Sequence, residues 1–217
     1  MKRPSAPLLA APILAAALLL GACGSPTPTP GGGMTFPAAS TSVTTAPVRS
    51  VPAASGTVTG QGTVIQTPGG VPELCLGAVM ESYPPQCHGV PLAGWDWETT
   101  GPHEEADLDG QVTRWGTYAV TGGFDGSTMT VTDSVPLALY DTVAQPSPRP
   151  MAPPDLTADQ WSDVESGIRL VPGLLTSVRE GDIGPLYAQV VHDDGTIQAW
   201  ADATFGAATV VVTSALR

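Results

Sequence analysis

Lysine is nearly missing from this chain of 217 residues: Lys2 is the only one, and from residue 23 onward six arginines face twenty acidic residues, a balance of −14. The six arginines are scattered singly. Nothing in that distribution suits a phosphate backbone, which excludes nucleic acid as a partner. The same balance gives anionic lipid no electrostatic hold on the chain. Without lysine past residue 2 there is no P-loop lysine, no Ser-x-x-Lys nucleophile and no Schiff base. Gly-x-Gly-x-x-Gly, Gly-x-Ser-x-Gly and His-Glu-x-x-His are missing too. Of the three histidines, His88 and His103 fall in loop-like sequence with no evident partner. A dispersed Ser/His/Asp arrangement is the hydrolytic chemistry this inventory leaves open.

Long apolar runs are scarce as well. The one from Leu8 to Leu20 follows the cationic Met1-Lys2-Arg3 and is too short to span a bilayer, which is signal-peptide anatomy. It ends Leu20-Gly21-Ala22-Cys23, and this resembles the lipobox of bacterial lipoproteins. In that family the cysteine carries a diacylglyceryl group and becomes the first residue of the mature protein. The expectation is therefore a signal peptide over 1–22, lipid on Cys23, and an extracytoplasmic protein held to the membrane through that lipid. Two cysteines remain, Cys75 and Cys87. In an oxidising compartment one disulfide is the economical pairing. Closing a loop of about thirteen residues contributes roughly 3 kcal/mol. A metal or thiol-exchange site using Cys87 and His88 is the rival, but it lacks the close cysteine pair or four-ligand spacing such sites need.

Proline, glycine, threonine and serine punctuate the rest. Residues 23–56 read as a flexible tether whose mean reach is on the order of 30 Å. Residues 142–154, rich in proline, read as a stiffer linker dividing the folded part. The first module, 57–141, shows repeated strand and turn signals and no helical period. Its clearest feature is Tyr118 to Phe124, then Asp125-Gly126, then Met129 and Val131. A two-residue hairpin there pairs Val120 with Val131 and puts Tyr118, Val120, Met129 and Val131 on one face. With further strands at Gly62–Gln66 and Pro91–Trp97, the expectation is a small antiparallel OB-like barrel or strongly curled sheet. The second module, 155–217, opens with a helix marked by Thr157 and Gln160 at capping-box spacing, with Leu156 placed to staple Trp161. A strand from Leu186 to His192, the turn pair Asp194-Gly195, a return strand Thr196–Asp202 and a strand Thr209–Thr213 follow. The fold class expected is mostly β, with a helix on a three-stranded sheet as its α+β second module.

The runs Glu81-Ser82-Tyr83-Pro84-Pro85-Gln86-Cys87, Gly94-Trp95-Asp96-Trp97 and Trp115-Gly116-Thr117-Tyr118-Ala119-Val120-Thr121-Gly122, with Asp194-Gly195-Thr196-Ile197-Gln198-Ala199-Trp200 near the end, resemble uncharacterised exported proteins of high-GC actinobacteria. That resemblance implies an envelope location and transfers no catalytic residue.

Two candidate sites stand out. Glu105, Asp107, Asp109, Gly110 and Val112 follow the order of a calcium loop, yet Gly116 stands where the bidentate glutamate belongs, so a solvated acidic loop is expected and no metal. Trp95 and Trp97, as alternate residues of one strand, point the same way. Exposed, they would stack on sugar rings of a cell-wall polymer; buried, they would fill a small barrel. His192 is expected to be a partly buried structural histidine. The function expected is a membrane-anchored envelope lipoprotein that binds or scaffolds, its partner an envelope protein or a cell-wall polymer, with no cofactor. The alternative is an envelope hydrolase acting on cell-wall material.

Overall fold

The computed structural model describes residues 47–141, 155–179, 181 and 184–217. The signal segment 1–22, Cys23, most of the 23–56 tether and the 142–154 linker lie outside the described residues.

Val/Thr-rich segments build the first sheet because β-branched side chains pack well on a pleated surface. β1 (Thr57–Gln66) runs antiparallel to both β2 (Glu73–Cys75) and the long β5 (Gln111–Phe124). β2 pairs with β3 (Val90–Ala93), β3 runs parallel to β6 (Met129–Pro136), and β6 returns antiparallel to β5. With β1 also paired to β5, this order curls the sheet into a partly open barrel, and the β3–β6 pairing is parallel where an all-antiparallel barrel was expected. Closure is incomplete, since β3 and β6 meet only at Leu92–Met129 and Ala93–Thr130. β4 (Glu104–Leu108) adds a hairpin to the far end of β5.

Alternation along the strands separates two faces. Val58, Val64, Leu74, Tyr118, Val120 and Met129 fill the interior, while Ile65, Trp115 and Ala106 pack on the outside under Val79 and the disulfide. The disulfide joins Cys75 to Cys87, 12 residues apart, and so pins the β2–β3 loop against Trp115, whose indole meets the Tyr83 ring edge-on at 5.6 Å. Replacing both cysteines by serine is expected to lower stability by about 3 kcal/mol, measured by denaturant unfolding. In the parent protein, native-state alkylation should find no free thiol among the two.

The Asp125-Gly126 hairpin differs from expectation. Asp125 Oδ1 accepts from the amides of Ser127 and Thr128 at 2.8 and 2.7 Å, and the Asp125 amide donates to the Thr128 carbonyl, making a four-residue loop. Those two amides, with the Ser127 hydroxyl, also hold the Asp125 pKa below the ordinary carboxylate value. Val120 consequently pairs with Ser134, not Val131, after a bulge at Thr121/Gly122. Tyr118, Val120 and Met129 nevertheless share the buried interior, with Val131 packed beside them.

In the second region, α1 (Ala158–Ile168) carries the capping box: Thr157 Oγ1 accepts from the Gln160 amide at 3.3 Å and Gln160 Oε1 from the Thr157 amide at 2.8 Å. Trp161, Val164 and Ile168 are its buried face. The three-stranded sheet has the order β7 (Leu174–Arg179), β8 (Leu186–Val190), β9 (Val210–Ser214), with β8 and β9 parallel. The expected return strand Thr196–Asp202 is instead a helix, α2 (Thr196–Phe205). Asp193 explains the difference: its carboxylate accepts from the amides of Gly195, Ile197 and Gln198, donors that a helix start leaves without partners. Val190 and Ala188 therefore do not face Ala199 and Ala201. They belong to a buried core that also holds Ile197 and Ala201 of α2.

Two segments cross between these regions. Leu216, fully buried, enters the barrel interior, and the Thr59 and Arg217 backbones exchange hydrogen bonds of 2.7 and 3.2 Å. Gly60 makes room for it: a methyl group there would lie 2.6 Å from Leu216 Cδ2. Residues 47–56, expected to belong to the flexible tether, lie as a strap on the fold. Val48 packs on the second core, Val51 and Ala54 on the first, and the Ala54 amide donates to the Phe124 carbonyl at 2.9 Å.

Candidate functional site

The two candidate tryptophans do not form an exposed platform. Gly94, with φ of 81°, ends β3, and Asp96 then closes a turn by accepting from the Glu98 amide at 3.0 Å and, through its carbonyl, from Thr99 and Thr100. Trp95 and Trp97 thus sit in a turn. Trp97 is only 6% exposed and donates from Nε1 to Gln66 Oε1 at 2.6 Å. The indoles meet edge-to-face at 5.3 Å, and Tyr118 packs 4.9 Å from Trp95 and 6.3 Å from Trp97. Tyr118 donates its hydroxyl to the Pro102 carbonyl at 2.8 Å, and burial raises its pKa. This cluster belongs to the core of the first sheet, where bulky side chains fill a small barrel.

The acidic stretch 103–110, expected as a loop, is the β4 hairpin. Asp109 and Gly110, both at positive φ (58° and 81°), form the two-residue turn, and Asp107 Oδ1 accepts from the Gly110 amide at 2.8 Å. Glu105 accepts from Arg114 on the paired strand, with His103 Nε2 at 3.4 Å. The hydrogen bond from Arg114 is the main reason its pKa falls below the ordinary value. His103 in turn packs its ring at a tilt against Trp97, with centroids 5.0 Å apart.

The remaining histidines sit apart from this pair. His88 is exposed and borders a 90 Å³ hollow walled by Leu74, Leu76, Val90, Leu175 and Val191. His192, half-buried as expected, makes a 3.1 Å hydrogen bond through Nδ1 with the Leu216 carbonyl and meets the Phe124 ring edge-on. Among the described residues no histidine hydrogen-bonds a serine.

The larger concavity is not legible from the sequence. A groove of about 440 Å³ lies between the strap (Val48, Arg49, Ser50, Pro52) and α2 (Thr196, Ala199, Trp200). Trp200, half-buried, forms its apolar floor and is braced edge-on by Phe205 at 5.3 Å. Arg49 brings a cation to the rim of an otherwise acidic protein. An apolar surface with a few polar groups is the usual anatomy of a ligand site. Sequence reasoning misses Trp200 because it puts that residue on a strand; the helical spacing of Ile197, Trp200, Ala201 and Phe205 is the signal that points to it.

Comparison with protein-family models, with curated proteins and with solved structures finds no match to this chain.

Proposed function

We propose that the protein is a lipoprotein held by Cys23 on the extracytoplasmic face of the cell membrane, and that its folded part binds or scaffolds an envelope protein or cell-wall polymer without catalysing a reaction. The observation that carries the anchor is Leu20-Gly21-Ala22-Cys23 at the end of a short apolar run. A disulfide between Cys75 and Cys87 fits an oxidising compartment. The resemblance to exported actinobacterial proteins supports the same location. For binding, the strap–α2 groove is the preferred surface, because it joins an indole, a guanidinium and main chain next to the segment that leads from the anchor.

The hydrolase alternative has weaker support. His103 and Glu105 lie on an exposed hairpin, Glu105 is already shared with Arg114, and His88 borders apolar walls. In intact envelopes, chemical crosslinking through a probe placed at Ser50 is expected to yield a discrete adduct. Trp200→Ala should reduce it at least about tenfold, as loss of a central aromatic anchor does, and Leu139→Ala on a remote exposed site should leave it unchanged. An adduct indifferent to Trp200→Ala would remove the groove from the proposal.

A further inference from the structure

Strands that end a sheet offer unpaired backbone groups to any other chain, and this fold blunts its edges by different means. β4 places Glu104, Glu105 and Asp107 on the edge of the larger sheet. β7 opens with a bulge between Leu174 and Thr176, which interrupts the ladder a newcomer would extend. β9 has neither device. Val210-Val211-Val212-Thr213-Ser214 contains no charge and no proline, and its register with β8 is unbroken. That composition is the kind that recruits other strands.

A side chain occupies its outer edge instead. Gln198 donates from Nε2 to the Val210 carbonyl at 3.0 Å and accepts at Oε1 from the Val212 amide at 2.8 Å. A residue in a parallel neighbouring strand makes the same pair of bonds, to the carbonyl and the amide that flank its partner. The second Nε2 hydrogen goes to Asp202 Oδ1 at 2.9 Å, one turn along α2. That carboxylate, accepting only, sets which end of the amide meets which backbone group. Ile197 and Ala201, both buried, fix the helix that carries Gln198.

We propose that Gln198 is a surrogate strand residue, closing the β9 edge and keeping the protein from adding a second copy of itself there. Gln198→Met preserves length and helix propensity while deleting both the donor and the acceptor of the side-chain amide. The test uses the full mature chain carrying Cys23→Ala, so that lipid does not drive association. Sedimentation is expected to show a monomer when Gln198 is kept and concentration-dependent association when Gln198→Met is added. Hydrogen exchange at the Val212 amide should quicken about tenfold or more. Thr213→Lys added to Gln198→Met should restore the monomer. The proposal is overturned by a Gln198→Met chain that stays monomeric with Val212 as protected as before. It is equally overturned by association that Thr213→Lys leaves unchanged, or that circular dichroism shows to follow loss of the fold.

Discussion

With Cys23 replaced by alanine, the protein is expected to leave the membrane fraction completely and to carry no acyl label. Each buried methylene contributes about 0.8 kcal/mol, so two acyl chains hold a protein firmly while their loss removes the whole attachment. Among the described residues nothing offers a second attachment. The arginines are scattered among twenty acidic residues, and among the described residues no helix is long and apolar enough to cross a membrane. Fractionation of cells fed a labelled fatty acid checks both parts. Retention in the membrane fraction without label would refute the anchor.

Leu216→Ala is expected to lower stability by about 2–5 kcal/mol, the range for emptying a fully buried leucine site. Against a total of about 5–15 kcal/mol for a native domain, that is a large fraction. The position explains the size. Leu216 lies beyond the last strand, yet it is fully buried inside the barrel beside Gly60. Main-chain bonds from Leu216 to Val191 and between Arg217 and Thr59 hold it there, so the site has little freedom to collapse. Leu139→Ala, at a leucine 77% exposed, is the control and should change stability by less than about 0.5 kcal/mol. Urea unfolding of the three proteins decides it; equal midpoints for Leu216→Ala and the parent would show that the C-terminal residues do not lock the barrel.

The three Asp-Gly pairs show how far local sequence reaches. Asp109-Gly110 makes the two-residue hairpin turn, Asp125-Gly126 opens a four-residue loop, and Asp194-Gly195 leads into α2. The dipeptide is the same in each, and neighbouring groups decide. Ser127 and Thr128 supply amides to Asp125, and Asp193 supplies the carboxylate that starts the helix. Where a signal involves several residues acting together, as in the Thr157–Gln160 capping box, the element was legible. The mostly β character with its α+β second part was legible too, from repeated strand and turn signals in the first part and from the capped helix in the second. Trp95 and Trp97 show the other limit. Their shared direction depended on a strand that Gly94 and Asp96 break, and their burial depends on Tyr118 and Gln66, distant in sequence. Concavities were the least legible feature, since the walls of the Trp200 groove are about 150 residues apart and only the fold brings them together.

The strap also fixes how the fold carries mechanical load. Tension arriving from the preceding chain enters at Pro47 and meets Val48, Val51 and Ala54 in series, with the second core first and the barrel after it. A pull that peels the strap from Pro47 is expected to release Val48 first, and with it part of the groove wall. Pulling from that side is therefore expected to open the concave surface before Val51 and Ala54 leave the barrel.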